Sequence, residues 1–236
     1  MKQALILAGG RGARLGELTS STPKPLLKFD GKNSTLSIIL KKCISENFDQ
    51  VLILAGYLPN VMQEFYENLD KSIKERTIIL YEKSFLGTAG AIINAYEFLE
   101  DKFLVINGDT LINIDYGGFY ESTDISKCSG YLAIKKIPNE GKRYGSLKIE
   151  GQLIKGFLEK QDFDEINDQY INLGCYIFKK SVFAITNQSK KLSLEHNLIP
   201  SLINIDKVGF KIFKEDFIDI GTPESYKLAK AFSHDC

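Results

Sequence analysis

The chain has 236 residues, a length that suits one large domain or two small ones. Thirty basic residues balance thirty acidic residues, and this zero net charge argues against a bulk polyanion such as DNA as partner. A local site for a small phosphate compound stays open. The only histidines, His196 and His234, are too few for a histidine-rich metal site.

The sequence predicts neither a secretory leader nor a membrane span. The apolar run Ala4–Ala8 is too short for the core of a signal peptide, and no run approaches the roughly 20 residues that a span needs. The four cysteines lack paired spacing, which indicates reduced thiols. We therefore expect a cytoplasmic protein that binds neither membrane nor nucleic acid.

In the first half, short apolar runs alternate with helical patterns. The predicted strands are Ala4–Ala8, Val51–Ala55, Thr77–Tyr81 and Phe103–Asn107. The predicted helices are Leu36–Glu46, Asn60–Leu69 and Ala89–Leu99. Continuous apolar strands that alternate with helices favour a parallel sheet covered on both faces.

The second half contains more strands and fewer helices. Its predicted strands are Tyr131–Ile137, Ser146–Ile149, Tyr170–Lys179 and Gly209–Lys214. Thr222 followed by Pro223 predicts the start of a helix, with threonine as N-cap and proline at the first position. We expect these strands to extend the same sheet as one mixed, mostly parallel α/β domain spanning residues 1–236.

The stretch LILAGGRGARL, residues 5–15, follows the first strand with a loop rich in glycine and arginine. In open parallel sheets, ligands bind at the carboxyl ends of the strands. Gly9, Gly10 and Gly12 allow backbone N–H groups to approach phosphate oxygens, and Arg11 and Arg14 add positive charge. The loop is therefore a candidate phosphate cradle.

Two familiar phosphate-binding loops do not match. The dinucleotide pattern G-x-G-x-x-G fails because Leu15 stands where the third glycine belongs, and no P-loop G-K-[ST] occurs. A glycine-rich turn with solvated arginines remains the alternative.

Three charged residues elsewhere strengthen the phosphate hypothesis. Lys24 lies between two prolines in STPKPLL, and proline restrains the backbone in a way that can aim this lysine. Asp109 ends the apolar run in VINGD, and Asp219 has a similar setting in FIDIGTPESY. Together the aspartates could hold Mg²⁺ beside a triphosphate, although each alone could cap a turn. Both Lys24 and Asp109 are expected outside the core, Lys24 on a loop and Asp109 at a strand end.

Eight motifs occur in the order found in sugar-phosphate nucleotidyltransferases: LAGGRGARL, PKP, LGTAGAI, NGD, YG, EK, NLGCYIF and DIGTPESY. The chain resembles this family from Leu7 to Tyr226. The resemblance implies a single Rossmann-like domain that joins a nucleoside triphosphate to a sugar 1-phosphate, giving a nucleotide sugar and pyrophosphate. It also implies that residues 1–130 form the nucleotide-binding half and residues 131–236 the sugar-phosphate-binding half.

The resemblance also assigns residues to roles. Catalysis is expected from Arg14, Lys24 and Asp109. Nucleotide binding is expected from Leu7, Gly9, Gly10, Gly12, Arg14, Glu82 and Gly87. Sugar-phosphate binding is expected from Asn107, Gly145, Glu159, Lys160, Asn172 and Gly174. Asp109 and Asp219 are expected to bind Mg²⁺.

The chain departs from the family pattern at two positions. Phe85 replaces the proline of E-x-x-P-L-G-T, and Gln161 replaces the proline of E-K-P. Phe85 lies next to the expected base pocket, so the base preference stays open. Without the proline, the expected orientation of Lys160 is less restrained.

Within the family, the chain length and the segments KRYGSL, LSLEHNLIP and FIDIGTPESY are most like those of the D-glycero-α-D-manno-heptose 1-phosphate guanylyltransferases. This implies GTP and a heptose 1-phosphate as substrates, with GDP-heptose supplied for bacterial surface glycans. The alternatives are mannose 1-phosphate with GTP, or glucose 1-phosphate with CTP, UTP or dTTP. A catalytically silent relative that binds nucleotide sugars is a further alternative. The resemblance is compatible with a monomer or a homo-oligomer.

Overall fold

The computed structural model describes residues 1–29, 31–138, 146–158, 168–184, 191–205 and 207–232. None of the helices in these ranges is long and apolar enough to cross a membrane.

The strands, in chain order, are β1 (Gln3–Ala8), β2 (Gln50–Ala55), β3 (Thr77–Tyr81), β4 (Lys102–Asn107), β5 (Thr110–Ile112), β6 (Gly130–Pro138), β7 (Ser146–Glu150), β8 (Leu153–Leu158), β9 (Asp168–Lys179), β10 (Val208–Phe213) and β11 (Phe217–Asp219). The helices are α1 (Thr35–Ser45), α2 (Pro59–Glu67), α3 (Lys71–Lys74), α4 (Gly87–Asn94), α5 (Tyr116–Glu121), α6 (Ile199–Ile203) and α7 (Pro223–Phe232).

Within the described residues, nine strands form one sheet in the order β3-β2-β1-β4-β9-β6-β10-β8-β7. Strands β1 to β4 pair in parallel, and β6 pairs in parallel with β10. Strands β8 and β9 run antiparallel to their neighbours. The sheet is therefore mixed, with most strands pointing one way, which confirms the predicted α/β architecture.

The apolar strands bury both of their faces. In β1, Ala4 and Ile6 join the core beneath α1, α2, α5 and α7, whereas Leu5 joins the core on the other face, beneath α4 and α6. Because successive side chains of a strand point to opposite faces, a continuous apolar run is what a sheet covered on both sides requires.

The structure differs from the sequence predictions in several elements. Strand β8, the two-stranded sheet of β5 and β11, and the helices α3, α5 and α6 were not predicted. The predicted helix Ala89–Leu99 is shorter, because α4 ends at Asn94 and a 3-10 turn covers Tyr96–Phe98. The Ala95 N–H donates to the carbonyls of both Ala91 and Ile92, which tightens the last turn.

The four parallel strands all end at the same edge of the sheet. Beyond β1 to β4 come, respectively, Gly9, Gly56, Glu82 and Gly108. Short backbone hydrogen bonds bind these ends together, including Gly108 N–H to the Leu7 carbonyl at 3.0 Å and Glu82 N–H to the Ala55 carbonyl at 2.9 Å. This edge is where ligands bind in sheets of this kind.

A second connection joins the start of α4 to residues 192–194. The Leu192 N–H donates to the Leu86 carbonyl at 2.8 Å, and the Leu192 carbonyl accepts from the N–H groups of Ala89 and Gly90. The Leu194 N–H donates to Thr88 Oγ1 at 2.8 Å. We call these hydrogen bonds the Leu192 clasp.

Gly87 lies inside the Leu192 clasp in a conformation that favours glycine. Its φ is +77°, and a side chain there would overlap the backbone carbonyl oxygen of Leu192. Gly151 has a similar φ of +61° but no atom within 4 Å of the position that a side chain would take.

We expect Gly87→Ala to destabilise the chain more than Gly151→Ala. Gly151→Ala should lower the free energy of unfolding by about 1–2 kcal/mol, because alanine is strained in the left-handed conformation. Gly87→Ala should lower it by about 1–3 kcal/mol more, because its side chain would also overlap backbone that cannot move aside. Urea unfolding of both variants measures the difference, and equal losses of unfolding free energy would contradict the close approach at Gly87.

Candidate active site

Three adjoining cavities lie along the carboxyl edge of the sheet, with volumes of about 690, 400 and 440 Å³. The 690 Å³ cavity is lined by Arg14, Asn107, Asp109, Thr110, Phe157, Asn172, Leu173, Gly174, Glu195, His196, Pro200, Phe217 and Asp219. The 400 Å³ cavity is lined by Leu7, Gly10, Arg11, Gly12, Ala13, Arg14, Lys24, Pro25, Phe85, Asp109 and Gly221. The 440 Å³ cavity is lined by Gly9, Arg11, Gly56, Tyr57, Glu82, Lys83, Ser84 and Phe85.

We call these the large cavity, the loop cavity and the Glu82 cavity, in the order just given. The large cavity and the loop cavity meet at Arg14 and Asp109, which line both of them. A molecule in either cavity would therefore lie beside the same cation and the same carboxylate.

An ion cluster stands at this meeting point. Lys24 Nζ donates to Asp109 Oδ2 at 2.6 Å and lies 3.7 Å from Asp219 Oδ1. The aspartate side chains are about one-third exposed, at 33% and 30%. The antiparallel pairing of β5 with β11 places Asp219 opposite Thr110, and the Ile220 N–H donates to the Asp109 carbonyl. Two aspartates from distant parts of the sequence thus face one ammonium group.

Lys24 is buried, at 7% exposure, which corrects the expectation that this residue lies outside the core. It begins a 3-10 turn, Lys24–Leu26, and its stem packs against Gly12, where a side chain would approach Lys24 Cβ to 3.0 Å. The absence of a side chain at Gly12 is what makes room for the lysine stem. Removing the ammonium would also leave two carboxylates without their shared partner.

The donor set suits a divalent cation bound together with phosphate. Asp109 and Asp219 supply carboxylate oxygens to one point, and no group of three or more His, Cys, Asp or Glu side chains gathers anywhere in the described ranges. Small divalent cations are commonly held by one or two carboxylates, with substrate phosphates and water completing the coordination. The predicted metal ligands therefore come together in a suitable arrangement.

The predicted phosphate cradle is open to the loop cavity. Gly10 has no atom within 4 Å of a side-chain position, and Gly12 adopts a φ of +66°. Gly9 instead faces the Glu82 cavity, where a side chain would overlap the carboxylate of Glu82. Leu7 lines the loop cavity, and its carbonyl accepts the Gly108 N–H.

Glu82 is a half-buried carboxylate in the cavity that we name after it. Its Oε2 accepts the Leu86 N–H at 2.8 Å, and burial raises the pKa of its carboxyl group above the usual value. Tyr57 and Phe85 line the same cavity, and Phe85 is 57% exposed. Gly87, predicted to lie against a base, has a left-handed conformation within the Leu192 clasp, where a side chain would overlap the Leu192 carbonyl oxygen.

Asn107, Asn172 and Gly174 meet at the large cavity. Gly174 has a φ of +73°, and a side chain there would approach Asn107 Nδ2 to 2.6 Å. The Gly174 N–H donates to Asn172 Oδ1 at 3.0 Å. The other predicted sugar-phosphate residues, Gly145, Glu159 and Lys160, lie outside the described residues.

The sequence interpretation missed seven residues of the large cavity: Thr110, Phe157, Leu173, Glu195, His196, Pro200 and Phe217. Glu195 accepts hydrogen bonds from Asn172 Nδ2 at 3.0 Å and from the Tyr176 hydroxyl at 3.3 Å. Glu195 and His196 belong to the segment LSLEHNLIP, which the sequence analysis used only as evidence of family resemblance. The hydrogen bond between Glu195 and Asn172 forms only in the folded chain, so no local sequence pattern indicates it.

Comparisons with known proteins identify the family of this chain. The model of the nucleotidyl transferase family matches residues 3–235. The D-glycero-α-D-manno-heptose 1-phosphate guanylyltransferase of Aneurinibacillus thermoaerophilus is 33% identical over 229 residues, covering 97% of this chain and 96% of that protein. The protein of the same name from Campylobacter jejuni is 31% identical over 224 residues, covering 95% and 96%.

A solved structure is similar over its full length. HddC from Yersinia pseudotuberculosis, crystallised in complex with GMP-PN, superposes with a TM-score of 0.83 at 28% identity. The similarity covers 99% of this chain and 100% of that chain.

Proposed function

Because the chain belongs to the nucleotidyl transferase family, we propose that it transfers GMP from GTP to D-glycero-α-D-manno-heptose 1-phosphate and releases pyrophosphate. Family membership and the similar guanylyltransferases confirm the predicted class of enzyme, a sugar 1-phosphate nucleotidyltransferase. The proposal goes beyond this enzyme class in naming heptose as the sugar and guanine as the base. They rest on the full-length similarity to two heptose 1-phosphate guanylyltransferases and to HddC, which was crystallised with GMP-PN.

The observation that carries the proposal is that two cavities meet at Arg14 and Asp109, beside the ion cluster that contains Lys24. The loop cavity and the Glu82 cavity are lined almost entirely by residues before position 130, which fits the proposed nucleotide-binding half. The large cavity is lined mostly by residues after position 131, which fits the proposed sugar-phosphate-binding half. We assign the triphosphate to the glycine loop and the sugar to the large cavity.

The reaction needs charge neutralisation more than it needs a base. A phosphate oxygen of the sugar 1-phosphate is already a nucleophile, and it attacks the α-phosphorus while the bond to pyrophosphate breaks. The difficulty is to bring two polyanions together in line. Arg14 lines both cavities, and Lys24 is held beside Asp109, so these cations can counter the charge of both substrates.

Enzymes of this kind use a divalent metal, and we propose Mg²⁺ held by Asp109 and Asp219. When bound, Mg²⁺ would supply further neutralisation of phosphate charge. The ammonium of Lys24, which the same carboxylates hold, would then be free to contact a phosphate oxygen.

The guanine proposal has support in the Glu82 cavity. A carboxylate only accepts hydrogen bonds, and the N1–H and N2–H₂ groups of guanine are two adjacent donors that match it. Glu82 supplies such a carboxylate, with Tyr57 and Phe85 as aromatic surfaces nearby. Phe85, where the family pattern has proline, therefore offers a stacking surface to a base. The buried free thiols of Cys43, Cys128 and Cys175 are in keeping with the proposed cytoplasmic setting.

The first test is Mg²⁺-dependent pyrophosphate release with five nucleoside triphosphates against heptose, mannose and glucose 1-phosphates. We expect the highest rate with GTP and the heptose 1-phosphate, and no release without a sugar phosphate. A higher rate with another pair of substrates would contradict the proposed substrates but still agree with the enzyme class. Folded protein without activity on any pair, but with calorimetric binding of a nucleotide sugar, would favour the silent relative.

We expect Asp109→Asn and Lys24→Met to lower kcat by roughly 100-fold or more, since each removes charge at the junction of the cavities. Asp101→Asn and Lys71→Met are matched controls, because both residues are exposed and line none of the three cavities. Thermal unfolding of the variants separates loss of activity from loss of structure. Near wild-type turnover in a folded variant would remove that residue from the mechanism.

Glu82→Gln should weaken the preference for GTP over other triphosphates by roughly 10- to 100-fold, since it removes a charged acceptor. Burial raises the pKa of the Glu82 carboxyl, so the ionised acceptor is lost at a higher pH than for an ordinary glutamate. KM for GTP should therefore rise as the pH falls through this raised pKa, and Glu82→Gln should remove that dependence.

Exposed Glu97 supplies the matched control, Glu97→Gln. An unchanged triphosphate preference in Glu82→Gln would show that the base is recognised elsewhere.

A further inference from the structure

We infer that Glu195 binds a pair of neighbouring sugar hydroxyls and determines which sugar 1-phosphate is accepted, with Asn172 and Tyr176 as positioning residues. This inference rests on the proposed function, because it places the sugar in the large cavity.

In the part of the chain that the structure describes, hydrogen bonds reach only one carboxylate oxygen of Glu195. Its Oε1 accepts hydrogen bonds from Asn172 Nδ2 at 3.0 Å and from the Tyr176 hydroxyl at 3.3 Å. Asn172 Nδ2 also donates to the Tyr176 hydroxyl oxygen at 2.8 Å, which closes a ring of three side chains. The carboxylate is thus held by two donors that themselves interact.

The orientation of the Asn172 amide is fixed by the backbone. Its Oδ1 accepts the Gly174 N–H at 3.0 Å, so its Nδ2 must be the atom directed at Glu195. The left-handed conformation of Gly174, with a φ of +73°, brings this N–H into position within β9. Flipping the amide would place its NH₂ group against a backbone donor.

Tyr176 is the second donor, and it stays protonated. Its side chain is 1% exposed, and its hydroxyl is the polar tip that reaches Glu195. Burial, followed by the charge of Glu195, raises the pKa of Tyr176 well above its usual value. The hydroxyl therefore acts as a neutral donor to Glu195 over the working pH range.

The remaining capacity of Glu195 is two hydrogen bonds. A carboxylate has about four lone-pair sites, two on each oxygen, and the two donors occupy those of Oε1. Among the described residues, no side chain or backbone group donates to Oε2, and Glu195 lines the large cavity. Two free sites on one oxygen match two hydroxyls on adjacent carbons of a sugar ring or its side chain.

The backbone that carries Glu195 is anchored. Glu195 lies in a π-helical turn, Leu194–Leu198, whose first residue is fixed to Thr88 by the Leu192 clasp. Ser193 caps this turn by accepting the His196 N–H at 3.2 Å. A carboxylate fixed at its backbone and at one oxygen can discriminate between hydroxyl arrangements, because it loses little freedom on binding.

The test compares Glu195→Gln and Tyr176→Phe with two controls, Glu64→Gln and Tyr120→Phe. Glu64 is exposed on α2, and the Tyr120 hydroxyl donates to the Lys102 carbonyl away from the three cavities. For each variant, KM for the sugar 1-phosphate, KM for GTP, kcat and thermal stability are measured. The sugar is the one on which the wild-type enzyme is most active, together with its monodeoxy analogues.

We expect Glu195→Gln to raise KM for the sugar 1-phosphate roughly 10- to 100-fold, with KM for GTP unchanged. Tyr176→Phe should raise the same KM by a smaller factor, and both controls should resemble the wild type. A monodeoxy analogue that lacks a hydroxyl bound by Glu195 should have a higher KM than the parent sugar with the wild type. With Glu195→Gln the same analogue and the parent sugar should have similar KM values, which is the non-additivity expected of a direct contact.

Two results separate the inference from the proposed function. An active wild type whose sugar KM and analogue pattern are unchanged in a folded Glu195→Gln variant would overturn the inference alone. If the wild type turns over no sugar 1-phosphate, the proposed function fails, and calorimetry with mannose 1-phosphate replaces kinetics. Weaker binding by Glu195→Gln than by the wild type would then support the inference, and equal binding or none would overturn it.

Discussion

The arrangement of this site depends on one buried ammonium group. Lys24 stands between Asp109 and Asp219, and without it two carboxylates would face each other at the junction of the cavities. Two local structures hold the group in place. The side-chain-free Gly12 makes room for the lysine stem, and the short sheet of β5 and β11 brings Asp219 beside Asp109. The cation that holds this junction together is the same kind of charge that phosphate substrates need there.

Much of the fold could be predicted because its strands bury both faces. The runs at Ala4–Ala8 and Val51–Ala55 are continuous and apolar, and both form buried strands. The sheet of β5 and β11 could not be predicted, since each strand has three residues, too few to show an alternating pattern. The pairing also joins segments about one hundred residues apart, which a local pattern does not record.

The site was predictable to the extent that its residues follow strand ends. Asp109 and Gly9 follow β4 and β1, so their common edge could be derived from the sheet alone. A lysine between two prolines is typical of an exposed loop, so the sequence predicts that Lys24 lies outside the core. In the structure Lys24 is buried, because it packs against Gly12 and pairs with two aspartates. Glu195 had no pattern of its own, because its role depends on partners in β9 that reach it only in the folded chain.

The Leu192 clasp has a consequence for how enzymes of this fold diversify. It consists mainly of backbone hydrogen bonds, and it depends on side-chain identity only through the absent side chain of Gly87 and the hydroxyl of Thr88. The clasp therefore holds residues 192–194 at the start of α4 whichever side chain stands at position 195. Evolution, or an engineer grafting a segment, can exchange the residue at position 195 while the attachment of this segment to the start of α4 stays the same. Gly87 and Thr88, at the start of α4, therefore preserve the position of the backbone that carries residue 195, whichever side chain is placed there.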